Sequence, residues 1–383
     1  MRVGILTLPL HGNYGGNLQA YALMHSLRKL GHEPILISRR GKQFPRWRVL
    51  PALCKRLVMK YVIRRPNVDV SAGIFDGKER ARIERHARRF IAEHVQPQTA
   101  IFQNTKQLVR DIPRYNFDAI IVGSDQVWRP KYAPNIEENF LNFLSSNDGI
   151  RRISYAASFG TDGWEFTANE QAACGALVAE FDALSVREAA GVEMCRAHFS
   201  KDAVHVVDPT MLLEATDYIE LAGKSADPQP EKTALIYLLD EDDERREVVS
   251  HVATLLDLVP TRANAIGPDG SSLPVEKWLK GFSDADFVIT DSFHACVFAI
   301  LFHKPFLAYG NLKRGLARFE SLLNMFNLSD RLVSSPSDVT DELVQRPIDW
   351  INVDALVSEQ RAKGKAFLIS ALVKHNDRRE GIP

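Results

Sequence analysis

Short apolar runs, each followed by a helix-length stretch and then another apolar run, recur along nearly the whole chain, and this alternation narrows the possible folds more than any other feature. "RVGILTL" (2–8) leads through a Gly/Asn loop into "NLQAYALMHSLRKLGHE" and then "PILIS". Leu23, Leu27 and Leu30 share one helical face, and Gly31 supplies a C-cap. Strand, helix and strand within about 40 residues form a βαβ unit and call for a parallel sheet. Further runs at "FDAIIVGSD", "RISYAASFG", "FDALSVRE" and "HVVDPT" extend this first unit, and "EATDYIELAGKSADPQPEK" ends it with two prolines. A second alternation begins at "TALIYLL" and includes "DFVIT", "HACVFAILFH" and "KPFLAYG". The expected organisation is an α/β chain with an N-terminal Rossmann-like domain (1–212), a linker (213–232), a second Rossmann-like domain (233–345), and a C-terminal helix and tail (346–383). Two such domains across a cleft resemble the B-type glycosyltransferase architecture.

Composition excludes several classes of function. With 48 basic and 48 acidic residues the formal net charge is zero, which gives no general attraction to nucleic acid. No apolar stretch reaches the roughly 18 residues of a membrane span, and the N-terminus lacks a secretory cleavage pattern, so a cytoplasmic protein is expected. Cys54, Cys174, Cys195 and Cys296 show no CxxC spacing, which argues for reduced, mostly buried thiols. No cluster has metal-ligand spacing, and no metal or cofactor is expected.

In open α/β sheets, ligands bind beyond the carboxyl ends of strands. After the first strand, Gly12, Gly15 and Gly16 allow close backbone approach, and a helix starting near Asn17 offers free amides to an anion; the spacing is not that of a dinucleotide fingerprint. In "VGSDQVWRP", Ser124, Asp125 and Gln126 can hydrogen-bond a hydroxylated ligand and Trp128 can stack on it, though a simple helix cap explains the polar pair equally well. Arg187 follows "LSV", where a guanidinium can grip a carboxylate or phosphate, or pair with an acid. "VITDSFHACVFAILF" (288–302) places Asp291, Ser292 and His294 at a joint between a buried strand and a buried helix. Asp291 or Ser292 can cap that helix, and His294, at the mouth of the cleft, can give or take a proton. Arg314 and Arg318 lie four apart and form a possible two-guanidinium anion clamp.

Seven segments together resemble the polysaccharide pyruvyl transferase family: "GNYGGNLQAYAL", "DAIIVGSDQVW", "SYAASFG", "LSVREAAGVEMC", "VDPTMLL", "ITDSFHACVFAILFHKPF" and "NLKRGLARFESLL", in family order over about residues 3–323. The resemblance implies transfer of the three-carbon unit of phosphoenolpyruvate onto sugar hydroxyls as a ketal, in assembly of a capsular or exopolysaccharide precursor. By this resemblance His294, with Asp291, takes the catalytic role. Arg187, Arg314, Arg318, Ser292, Gly15, Gly16 and Asn17 would hold the donor, and Asn13, Tyr14, Ser124, Asp125, Gln126 and Trp128 the acceptor. The chain departs from the family at Ser292, where many members carry arginine.

The segment 39–66 contains ten Lys or Arg and no acid, interleaved with Trp47, Leu50, Leu53, Leu57, Val58 and Tyr61. Such a segment fits an amphipathic surface on anionic lipid, as a lipid-linked acceptor would require, or a solvated loop. Alternatives from other classes are a nucleotide-sugar-dependent glycosyltransferase and a non-catalytic membrane-associated scaffold.

Overall fold

Strands buried on both faces read as continuous apolar runs, and the first sheet is built of such runs. In the computed structural model, which describes residues 1–41, 77–223, 232–264, 266–310 and 315–373, this sheet comprises β1 (Arg2–Leu6), β2 (Glu33–Leu36), β3 (Ala119–Val122) and β4 (Arg151–Ser154). Their order is β2-β1-β3-β4 and every pairing is parallel. A two-stranded parallel extension, β5 (Ser185–Val186) and β6 (Val204–His205), continues past β4 through bridges from Ile153 to Ala183 and from Ala157 to Val186. The second sheet has the order β11-β10-β9-β7-β8, from β7 (Thr233–Tyr237), β8 (Val259–Arg262), β9 (Phe287–Thr290), β10 (Phe306–Tyr309) and β11 (Leu332–Val333), again all parallel.

The two sheets share one apolar core. Leu18, Leu23 and Leu27 of the helix Tyr14–Lys29 belong to the same packed cluster as Trp278, Phe282 and Phe298 from the second half. The helix Phe293–Leu301 is apolar nearly all round and every residue in it is buried, as expected for a helix enclosed between layers. The outer faces of the two sheets close separate cores, one around Trp128 and Phe140 and the other around Ile236 and Val248.

Residues 213–232 were expected to be a linker, but Ala215–Ala222 form a helix. Tyr218 is its anchor: fully buried, it lies edge-on to Phe298 at 4.9 Å and donates its hydroxyl to Thr210 O at 2.8 Å. The last helix, Trp350–Leu372, returns to the first half. Arg361 donates to Met211 O at 2.8 Å and Leu213 O at 3.1 Å, and Arg151 Nε donates to Ala371 O at 2.9 Å. Gly364 lies against Tyr155 so closely that a Cβ there would come 2.6 Å from its hydroxyl.

Candidate active site

The ends of β1, β3, β5, β6 and β9 converge, and the side chains just beyond them form one buried polar cluster. Asp208, three residues past β6, is its centre. Its Oδ1 accepts from Thr210 N at 3.0 Å and Thr210 Oγ1 at 2.7 Å; its Oδ2 accepts from Arg187 Nη1 at 2.7 Å and Ser124 Oγ at 3.3 Å. His294 Nε2 stands 3.6 Å from the same Oδ2. Burial pushes the Asp208 carboxyl up, but the contact with His294, the charge of Arg187 and the Thr210 hydroxyl outweigh it and hold the group well below the usual carboxylate range.

His294 comes from the second half and packs on the first. Its ring fills the space where a side chain at Gly15 would be, since a Cβ built there would overlap Nδ1, Cγ and Cε1. One helical turn further on, the buried Gln19 amide contacts Nε2. Gly15 therefore receives the imidazole rather than opening its backbone toward an anion. Gly16 and Asn17 line the adjoining cavity, with Asn17 Nδ2 donating to His11 O at 2.8 Å. Asn13 caps the helix by accepting from Gly16 N at 3.4 Å.

Two guanidiniums lie near the ring of Phe293. Arg187 lies 4.5 Å from the ring centroid and Arg318 5.9 Å, and both are buried. Burial would lower the Arg187 pKa, but Asp208, Glu188 and Asp125 together raise it. Among the described residues its Nε and Nη2 have no hydrogen-bond partner, and Nη2 lies 3.9 Å from Asp125 Oδ1. Arg318 is pushed down to about 10, by burial first and by the charge of Arg187 next. Glu188 and Asp125 oppose that shift, so acids within the cluster offset part of the repulsion between the two cations. Arg314 and most of the basic segment, 42–66, lie outside the described residues; Arg39, at its start, pairs with Glu138 at 2.8 Å.

Several expected residues are placed differently from the sequence reading. Asp291 caps no helix: its Oδ1 accepts from Leu239 N at 2.6 Å and its Oδ2 from Asp240 N at 3.1 Å, with Arg245 Nε 3.6 Å away. It ties β9 to the loop after β7, and Asp208 provides the carboxylate beside His294. Ser292 occupies the N-cap position without a side-chain capping bond, and its amide donates to Thr290 Oγ1 at 3.0 Å. Trp128 presents no stacking face, because it is fully buried, stacked on Phe140 at 5.1 Å, with Nε1 donating to Asn139 O at 3.1 Å. Tyr14 likewise is not open to a ligand. It stacks on Trp278 at 5.2 Å and donates to Leu273 O at 2.7 Å, docking one half on the other. Ser124 is buried on Asp208 and Ala156 O.

A cavity of about 840 Å³ opens beside this cluster, bordered by Asn13, Gly16, Asn17, Asp125, Gln126 and Tyr132. Asp125 has φ +69°, a left-handed backbone that short polar side chains tolerate, and its Oδ1 accepts from Gln126 N at 2.9 Å. His11, also on the wall, is shifted down by burial, with Glu84 opposing and Arg80 reinforcing the shift. Sequence reasoning missed Asp208 and Gln19 as site residues. The "VDPT" segment, a carboxylate after a strand, carried a signal for Asp208, but nothing in "NLQAYAL" distinguishes Gln19 from a surface amide.

Cys174, Cys195 and Cys296 are free and buried, and burial pushes the first two thiols up to about 12. Among the described residues no helix is long and apolar enough to cross a membrane.

Comparison with known proteins identifies the fold and the family. The chain aligns in structure with the UDP-GlcNAc 2-epimerase of Neisseria meningitidis bound to UDP-GlcNAc: TM-score 0.52, 10% identity, covering 97% of this chain and 99% of that one. MnaA of S. aureus with UDP gives TM-score 0.52 at 12% identity, covering 94% and 91%. UGT89C1 of Arabidopsis thaliana complexed with quercetin gives 0.50 at 11%, covering 96% and 98%. At these identities the likeness establishes the fold, two Rossmann-like halves of the B-type glycosyltransferase kind. No curated protein matches in sequence. The family model described as "Polysaccharide pyruvyl transferase" matches residues 13–313, a span that begins at the cap of the helix beneath His294 and includes Asp208 and Arg187; the chain belongs to that family of transferases.

Proposed function

We propose that this protein takes the pyruvyl unit of phosphoenolpyruvate and installs it as a ketal on two hydroxyls of a sugar in a capsular or exopolysaccharide precursor, releasing phosphate. The observation that carries the reading is the pair of buried guanidiniums, Arg187 and Arg318, that both lie near the ring of Phe293, the neighbour of His294. Phosphoenolpyruvate has two anionic ends, a carboxylate and a phosphate, and fixed cations suit both. His294 transfers the proton. Protonation of the enol methylene makes the adjacent carbon electrophilic; one sugar hydroxyl adds there and loses its proton. The second hydroxyl then displaces phosphate, so the sum is enol phosphate plus diol giving ketal plus phosphate. The cavity beside Asp125 and Gln126 is the place for the sugar.

On this reading the departure at Ser292 is compensated within the cluster. The arginine that many relatives carry there is replaced in function by Arg318, which approaches the same Phe293 ring from the helix Ala317–Met325. A lipid-linked acceptor would bring the basic segment 39–66 to an anionic membrane surface; binding to anionic but not neutral vesicles is the outcome that supports this part.

Thermal shift with phosphoenolpyruvate and, separately, with a nucleotide-sugar tests the donor. Phosphoenolpyruvate should stabilise the wild type and fail to stabilise Arg318→Met. Stabilisation by the nucleotide-sugar alone would instead make the protein a nucleotide-sugar-dependent glycosyltransferase.

A further inference from the structure

Which of its two nitrogens carries the proton decides what a neutral imidazole can do. In His294, Nε2 faces the Gln19 amide and the Asp208 carboxylate, 3.6 Å away, while the ring, Nδ1 included, lies over the bare backbone of Gly15. Gln19 is 1% exposed, and among the described residues its Oε1 has no hydrogen-bond partner. The two ends of a glutamine amide have nearly the same shape, so the surrounding hydrogen bonds decide which end faces the ring. With the amide nitrogen toward His294, Nε2 must be a bare lone pair. That lone pair would then face a fully buried carboxylate, acceptor against acceptor where water is excluded. With the amide oxygen toward the ring, an Nε2–H donates to Gln19 and Asp208 closes on the same hydrogen. Either orientation leaves one amide atom of Gln19 without a protein partner, so the amide alone does not settle the matter. Asp208 does.

We propose that Gln19 and Asp208 are positioning residues that keep the proton of neutral His294 on Nε2 and leave Nδ1 as the atom that takes up and returns a proton. Asp208 is itself fixed by Arg187, Thr210 and Ser124, and Arg187 by Asp125. Tyr155, buried nearby, is held neutral by burial and by Asp208. Gln19 belongs to the first half of the molecule and His294 to the second, so the ring acquires its tautomer only where the halves meet. The role of Nδ1 rests on the pyruvyl-transfer reading. The tautomer does not.

The experiment uses the full chain with ¹⁵N-labelled histidine and long-range ¹H–¹⁵N correlation, which distinguishes a protonated from an unprotonated ring nitrogen. His294 is identified among the 11 histidines by the signal lost in His294→Gln. The expected wild-type spectrum has a protonated Nε2 and an unprotonated Nδ1, Gln19→Met shows mixed tautomers, and turnover of Gln19→Met falls at least about tenfold. An unprotonated Nε2 in the wild type, or a Gln19→Met spectrum identical to wild type, overturns the proposal. If Gln19→Met does not fold, the wild-type spectrum decides alone. The expected tautomer together with no phosphate release from phosphoenolpyruvate would defeat the proposed function and leave the positioning intact.

Discussion

Gly15 and His294 compete for the same volume: the imidazole lies against the first turn of the helix Tyr14–Lys29 only because Gly15 has no side chain. In isolation an alanine would favour this helix over glycine by about 1 kcal/mol. Gly15→Ala should therefore keep the helix, force His294 off Nε2's partners, and lower turnover about a hundredfold. Circular dichroism alongside turnover checks it. Unchanged turnover would mean that the ring's position does not matter to the chemistry.

His294→Ala removes the proton-transfer group itself, and a loss of roughly a hundredfold or more in turnover is expected. Its dependence on donor concentration should change little, because the cations that hold the donor remain. Initial-rate kinetics over a range of phosphoenolpyruvate concentrations separate the two effects.

Arg318 is charged at a cost, as its depression to about 10 by burial and by Arg187 indicates. Arg318→Met keeps a side chain of similar length and removes the charge that would meet the donor. The donor concentration for half-saturation should rise about tenfold or more, with the acceptor requirement little affected. The reverse pattern would move Arg318 to the acceptor side.

Because folding holds the Asp208 carboxyl below its ordinary 3.8, the native state binds fewer protons there than the unfolded state. The stabilisation is fully present above about pH 5 and disappears as pH falls through the lower folded value. Asp208→Asn should lose about 3 kcal/mol or more near neutrality, by leaving Arg187 buried without its partner, and its stability should fall less steeply in acid. Urea midpoints measured from neutral pH into acid, for both proteins, test the sign.

Gly364→Leu would wedge the last helix away from Tyr155 and Leu212, whose atoms come within 2.6 and 3.0 Å of a Cβ at that position. Overpacking of this kind costs about 1–3 kcal/mol. A lowered unfolding temperature is the expected result, with an equal value in wild type and variant counting against tight docking.

The parallel sheets and the main joint of the site follow from sequence patterns that have a direct physical meaning. "FVIT" and "HACVFAILF" can only be a buried strand and a buried helix, which fixes His294 at a mouth between them. Trp128 was unreadable for the opposite reason. "SDQVW" offers polar residues and an aromatic after a strand, but whether the ring faces a ligand or Phe140 depends on partners 12 or more residues away. Asp291 and Asp208 show the same limit. Both follow strands, and only the three-dimensional structure reveals that one binds the amides of Leu239 and Asp240 while the other meets His294. Gln19 is recognisable only once His294 has been placed against it.

The return of the last helix to the first half means that the chain crosses between the halves twice, once near residues 213–232 and once just before Trp350. The halves also share one apolar core, in which Tyr14 stacks on Trp278 beside the contact of His294 with Gly15, so Gly15 and His294 are kept in register by a buried seam as well as by the path of the chain.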